Sequence, residues 1–127
     1  MRNSSNVFVC HTPYHIIISI LLSLKYSCYK ESDIVLSKEI YNWEGLHRNI
    51  RKLDIFHRVL LVDNHSPTLD LKRSSLIRKI YILVRFTKYL NNVFSEFPYY
   101  VNAVIFSSGT LLSKFFIMSS SKVHVYE

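Results

Sequence analysis

Five consecutive positions near the start of this 127-residue chain, His11-Thr12-Pro13-Tyr14-His15, hold two imidazoles, a hydroxyl and a phenol. An imidazole has an ordinary pKa near neutrality, so it can hydrogen-bond a sugar or a phosphate, or take and return a proton. A turn needed only to reverse direction is more often built from Gly, Asn or Asp. His11, Thr12 and Tyr14 are therefore candidate ligand-binding residues. Plainer roles compete: His15 as a cap on the helix start, His11 at a polar sheet edge, and Thr12 as helix cap with Pro13 at the first helical position. Pro13 argues against one shared helical face for the two histidines, and no third ligand lies nearby, so zinc is not expected. Ser107, Ser108 and Gly109, followed by Thr110, form a second candidate cluster, because small hydroxyl residues and a glycine let a ligand approach the backbone closely. An ordinary strand-to-helix turn capped by Thr110 is the competing account.

The elements that must position these groups follow from hydrophobic patterning. Strands are expected at Asn6–Cys10, Asp33–Ser37, His57–Val62, Val101–Phe106 and Lys122–Tyr126. Between them fall helical patterns at Tyr14–Tyr29, at a segment with Ile40, Trp43, Leu46 and Ile50 in its apolar positions, at Leu71–Phe94 and at Leu111–Met118. Val59-Leu60-Leu61-Val62 is an unbroken apolar run, as suits a strand covered on both faces. Strand–helix alternation throughout implies an α/β, Rossmann-like, three-layer domain with a five-stranded parallel sheet. In such a sheet the His11–His15 turn lies at the carboxyl end of the first strand, where this architecture binds ligands. The two glycines, Gly45 and Gly109, cannot supply a dinucleotide fingerprint after that strand, so NAD binding of the Rossmann type is not expected.

Composition bounds the rest. The chain is long enough for one domain, residues 1–127, with a real core, and 49% hydrophobic residues exclude a disordered class. Two cysteines, Cys10 and Cys28, lie in apolar segments and suit a reducing compartment. The apolar stretch Ile16–Leu24 is far short of the roughly 20 residues that span a bilayer. A cytoplasmic protein, peripheral on the inner face of the cytoplasmic membrane, is the expectation. A formal charge of +7 favours acidic partners: nucleic acid, anionic lipid or an anionic substrate. No recognised nucleic-acid motif supports the first, so nucleic acid is not expected as a partner.

Three blocks, Val7-Phe8-Val9-Cys10-His11-Thr12-Pro13-Tyr14-His15, Val104-Ile105-Phe106-Ser107-Ser108-Gly109 and Val123-His124-Val125-Tyr126-Glu127, resemble the amino-terminal half of bacterial sialyltransferase-like glycosyltransferases. The most similar groups are the lipooligosaccharide sialyltransferases and the capsule polysialyltransferases, whose GT-B fold joins two Rossmann-like domains. The resemblance implies transfer of sialic acid from CMP-sialic acid to an acceptor glycan with inversion. No cofactor and no metal ion are implied. In those families a strand like the last one leads into an acidic-acidic-glycine motif whose acid deprotonates the acceptor hydroxyl. Glu127 matches the first acidic position and is the candidate catalytic base; the second acid and the glycine lie past the last residue. By the same resemblance the chain is expected to be truncated before the nucleotide-sugar domain, with CMP-sialic acid bound by that missing carboxyl-terminal domain and transfer absent from this chain alone.

The Leu71–Phe94 pattern sets Lys72, Arg73, Arg78, Lys79, Arg85 and Lys88 beside Leu76, Ile77, Ile80, Leu83, Val84 and Leu90. Basic and apolar faces on one helix suit an anionic membrane surface. A helix packed on the sheet with a solvated basic face is the plainer account. Trp43 and the Tyr99-Tyr100 pair are aromatic candidates for an acceptor groove, since such rings stack on sugar faces. Two non-glycosyltransferase readings follow from charge: a basic α/β nucleic-acid-binding module and a peripheral membrane module without catalysis.

Overall fold

The computed structural model describes residues 6–26, 32–63, 75–94, 100–106 and 110–126. In chain order the elements are β1 (Asn6–Cys10), α1 (Pro13–Lys25), β2 (Ser32–Ser37), α2 (Trp43–Leu53), β3 (Arg58–Val62), α3 (Leu76–Phe94), β4 (Tyr100–Ile105), α4 (Leu111–Ser119) and β5 (Ser120–Val125). Every strand pair is parallel, and the sheet order is β3-β2-β1-β4-β5. The α/β three-layer class expected from the alternation is the observed one. Residues two apart on a strand face the same way, so each central strand feeds two cores. Phe8, Cys10, Ile34 and Leu36 pack with Ile16 of α1 and Ile50 of α2. Val7, Val9, Val35, Ala103 and Ile105 pack with Phe86 and Leu90 of α3 and with Leu112 and Phe116 of α4. Each fully buried aliphatic side chain of this kind contributes roughly 1.5–3 kcal/mol relative to exposure.

Element limits differ from the sequence expectation in ways that have local causes. Ile40 lies before α2, in a turn, yet it is buried in the same cluster as Ile50. β5 starts at Ser120, directly after α4, because Ser120 already has extended backbone (φ −118°, ψ 148°) and no loop intervenes. Helix α1 turns its serines inward. Ile16, Ser19 and Ser23 are buried, whereas Ile17, Leu21 and Leu24 are exposed. Ser19 donates to the His15 carbonyl oxygen at 2.7 Å, so its one proton is used and the Cys10 thiol, 3.3 Å away, must be the donor to Ser19 Oγ. Burial pushes that thiol up to about 12, against a lowering by Ser19, so it stays protonated and unreactive.

A polar cluster closes the amino edge of the sheet. Asp33 and Arg58 are cross-strand partners on β2 and β3. Arg58 donates to Asp33 Oδ2 through Nε (3.1 Å) and Nη2 (2.8 Å), and the Tyr100 hydroxyl donates to the same oxygen at 2.7 Å. Asp33 is completely buried, which is tolerable only because its charge is paired and hydrogen-bonded. Burial, followed by the Asp33 charge and hydrogen bond, holds the Tyr100 phenol far above the ordinary tyrosine range, so it remains a neutral donor.

Candidate functional site

β1 and β4 are neighbours, yet α1 leaves β1 onto one face of the sheet and α4 leaves β4 onto the other. This is a topological switch point, and in sheets of this kind the crevice that takes ligands falls there, at the carboxyl edge. Both helices begin there, each capped by a threonine. Thr12 has extended backbone, and its Oγ1 accepts from the His15 N–H at 3.2 Å; Thr110 does the same for Ser113 at 3.1 Å. Pro13 at the first position of α1 has no N–H to satisfy, so among the first three helical residues these contacts leave only the Tyr14 N–H unused.

The two histidines are built into the crevice by different means. The His11 N–H, at the end of β1, donates to His15 Nδ1 at 3.0 Å. His15 therefore both ends the strand and starts the helix; unlike the third residue of a capping box, it accepts from the N–H of the residue before the Thr12 cap and not from the cap itself. Because Nδ1 accepts, the neutral ring carries its proton on Nε2. That N–H makes no hydrogen bond among the described residues, and His15 is half-buried, so it is the imidazole proton open to a ligand. The ring lies flat on Phe106 at the end of β4, with centroids 4.4 Å apart and planes 8° apart. Phe106 in turn meets Tyr126 at 6.2 Å. The Tyr126 N–H donates to the Ile105 carbonyl at 2.9 Å, which fixes the end of β5 beside the end of β4.

His11 reaches across the crevice instead: its Nε2 lies 3.1 Å from Thr110 Oγ1. Its buried Nδ1 has no partner among the described residues. Burial, with a smaller contribution from the neighbouring His15, lowers its pKa from the usual 6.5 to about 4. Burial also lowers that of His15, and the bond accepted from His11 favours the same neutral form. Both imidazoles are neutral at pH 7. Of the two roles the sequence offers such a histidine, a ring held as low as His11 suits hydrogen bonding better than proton transfer near neutrality, because it is a weak base.

The structure thus brings His11, Thr12 and His15 together with Thr110, Phe106 and Tyr126. It does not bring Tyr14 to them; that ring is 66% exposed, in the outer stripe of α1 with Ile17 and Leu21. Ser107, Ser108, Gly109 and Glu127 lie outside the described residues, as do Lys72, Arg73 and Tyr99. The other aromatic candidates sit elsewhere. Tyr100 is a buried core residue of the amino edge, and Trp43 lies on α2 with the Lys38 ammonium 5.0 Å from its ring centroid. Phe106 and Tyr126 were not singled out from sequence; the only available signal was an aromatic residue at the tip of each of two strands.

From Tyr126 a groove of about 440 Å³ runs down the α1 face of β1, β4 and β5, lined by Asn6, Phe8, Tyr26, Asn102, Val104 and Tyr126 among others. Its size is that of a small-ligand site, and its walls come from four elements. A depression of about 560 Å³ along α2 is walled by residues of that one helix, including Trp43, His47 and Arg51, so nothing converges on it. Among the described residues no three His, Cys, Asp or Glu side chains could jointly hold a metal ion, and no helix is long and apolar enough to cross a membrane. No protein-family model, curated protein or solved structure matches the chain.

Proposed function

We propose that this domain is the acceptor-binding half of a bacterial sialyltransferase-like glycosyltransferase that acts on lipooligosaccharide or capsular glycan. The observation that carries the reading is the strand order, which sets the tips of β1, β4 and β5 side by side. Each of the three blocks of sequence that resemble the family contains one of those three tips. In the proposed complex the glycan lies in the groove, with the apolar faces of its sugars on Tyr26 and Tyr126 and its hydroxyls on the amides of Asn6 and Asn102. His15 Nε2–H holds the acceptor near its reacting end. The acceptor oxygen attacks the anomeric carbon of CMP-sialic acid, the bond from that carbon to the phosphate oxygen breaks, and CMP leaves with the electron pair. The acceptor proton passes to the Glu127 carboxylate, a role taken from the family resemblance. The neutral histidines position and do not transfer the proton. A second, nucleotide-sugar domain supplies the donor.

The test is NMR titration of the chain with desialylated oligosaccharide from lipooligosaccharide or capsule, beside a sialyl-transfer assay with CMP-sialic acid. Oligosaccharide is expected to shift the His15 and Tyr126 resonances, Tyr126→Ala to weaken binding about tenfold, and the chain alone to form no product. Product formed by the chain alone, or oligosaccharides from both sources leaving those resonances unmoved, overturns the assignment.

A further inference from the structure

We infer that the first three turns of α3 are a docking face for an anionic lipid bilayer. Phe86 and Leu90 are the buried residues of that helix, with Tyr89 and Val93 packed beside them against the sheet. All four lie in its second half. Ahead of them Leu76, Ile77, Ile80, Leu83 and Val84 are exposed, Ile77 by 83%. Their 3-, 4- and 7-residue spacing gathers them on one side of the helix, separate from the side that meets the sheet. Single exposed apolar residues are ordinary, but five on one side of three turns form a patch that marks an interaction surface.

The charge on the same helix selects the occupant. Arg78, Lys79, Arg85 and Lys88 are all exposed, and no acidic residue occurs between Ser75 and Phe94. Arg85 lies 5.7 Å from the ring centroid of Tyr81, an exposed residue whose apolar body and polar tip suit a headgroup boundary. At about 100° per residue the four cations fall beside and behind the apolar side, as in a helix lying in a bilayer interface. A helix with four cations and no acid offers a second copy no opposite charge to pair with. The patch is also the convex outside of one helix, so it offers no groove for a shaped protein partner. A bilayer asks for no shape match: it accepts apolar side chains among its acyl chains and cations among its headgroups. The outer stripe of α1, with Ile17, Leu21 and Leu24, has no such ring of cations and is not part of this surface. The inference does not rest on the glycosyltransferase reading, and its test uses no glycan.

The experiment is cosedimentation of the 127-residue chain with vesicles of phosphatidylcholine alone and of phosphatidylcholine mixed with phosphatidylglycerol. The chain is expected to pellet with the anionic vesicles, to stay in solution with the neutral ones, and to be released near 1 M salt, where the Debye length falls to about 3 Å. R85Q/K88Q should lower the partition coefficient about 25-fold, roughly fivefold per cation. I77Q/V84Q should lower it at least tenfold. All four side chains are exposed, so far-UV circular dichroism and Tm should not change. Equal pelleting with both vesicles, no pelleting with either, or unchanged partition of either variant overturns the inference. An oligomer that I77Q/V84Q dissociates, without vesicle binding, assigns the face to a second copy.

Discussion

The two edges of this sheet use similar chemical groups to opposite ends. At the amino edge a carboxylate, a guanidinium and a phenol close on one another, and one Asp33 oxygen takes three donors. At the carboxyl edge one imidazole bonds a hydroxyl and the other accepts from a backbone N–H, but the arrangement is incomplete. His11 Nδ1 is buried without a partner and His15 Nε2–H is unused among the described residues. A buried polar group that lacks a partner calls for an explanation, whereas a satisfied network explains itself as structure. Leftover hydrogen-bonding capacity, and not the density of polar residues, separates the candidate edge from the structural one.

The largest effect expected from this contrast is at the amino edge. Asp33→Ala leaves the buried Tyr100 hydroxyl and the Arg58 guanidinium, 35% exposed, without their shared acceptor. It should destabilise the domain by about 3 kcal/mol, the low end for a broken buried pair because water reaches Arg58, read as a lower urea midpoint with an unchanged slope. Replacing the cluster as a whole, with Asp33→Leu, Arg58→Met and Tyr100→Phe together, should recover most of that loss, because no uncompensated charge remains. A triple variant as unstable as Asp33→Ala would mean that the cluster does more than satisfy itself.

At the carboxyl edge the expected signature is a response to acid. The folded pKa of His11, about 4, lies below the usual 6.5, so between those values the unfolded chain binds more protons than the folded one. Stability should be full above pH 6.5, fall as the pH drops toward 4, and level off below. His15 is lowered as well and acts in the same direction. The His11 contribution is at most about 3 kcal/mol. His11→Gln should flatten the slope between pH 6.5 and 4 in urea unfolding at a series of pH values. A slope as steep as in the parent would move its origin away from this residue.

Sequence revealed one edge better than the other, for a reason of distance along the chain. Thr12, Pro13 and His15 interact within four residues, so their capping pattern can be read directly from their spacing. The strands were legible too, since runs such as Val59–Val62 need covering on both faces, and alternation with helices then implies the parallel sheet. Asp33, Arg58 and Tyr100 were not legible. Arg58 is 25 positions from Asp33 and Tyr100 is 67, and only strand register brings them together. Thr110 meeting His11 across 99 positions is the same kind of fact. The serine-inward face of α1 escaped because periodicity in an almost wholly apolar helix does not say which side is buried.

The smallest effect discriminates most finely within the carboxyl edge. Thr12 and Thr110 are both N-caps with the same bond to the third helical N–H, so alanine at either should cost about 1 kcal/mol of stability. Only Thr110 also contacts His11. Truncating it admits water to a ring whose pKa is held down chiefly by burial, and burial is the cause that a smaller neighbour weakens. Thr110→Ala should therefore raise the His11 pKa toward its ordinary value, while Thr12→Ala leaves it in place, as followed by the ring Cε1–H resonance in an NMR titration. Equal shifts in the two variants would mean that the helix starts, and not the Thr110 side chain, set the environment of His11. The bridge between β1 and α4 would then be a consequence of capping and not a feature of the crevice in its own right.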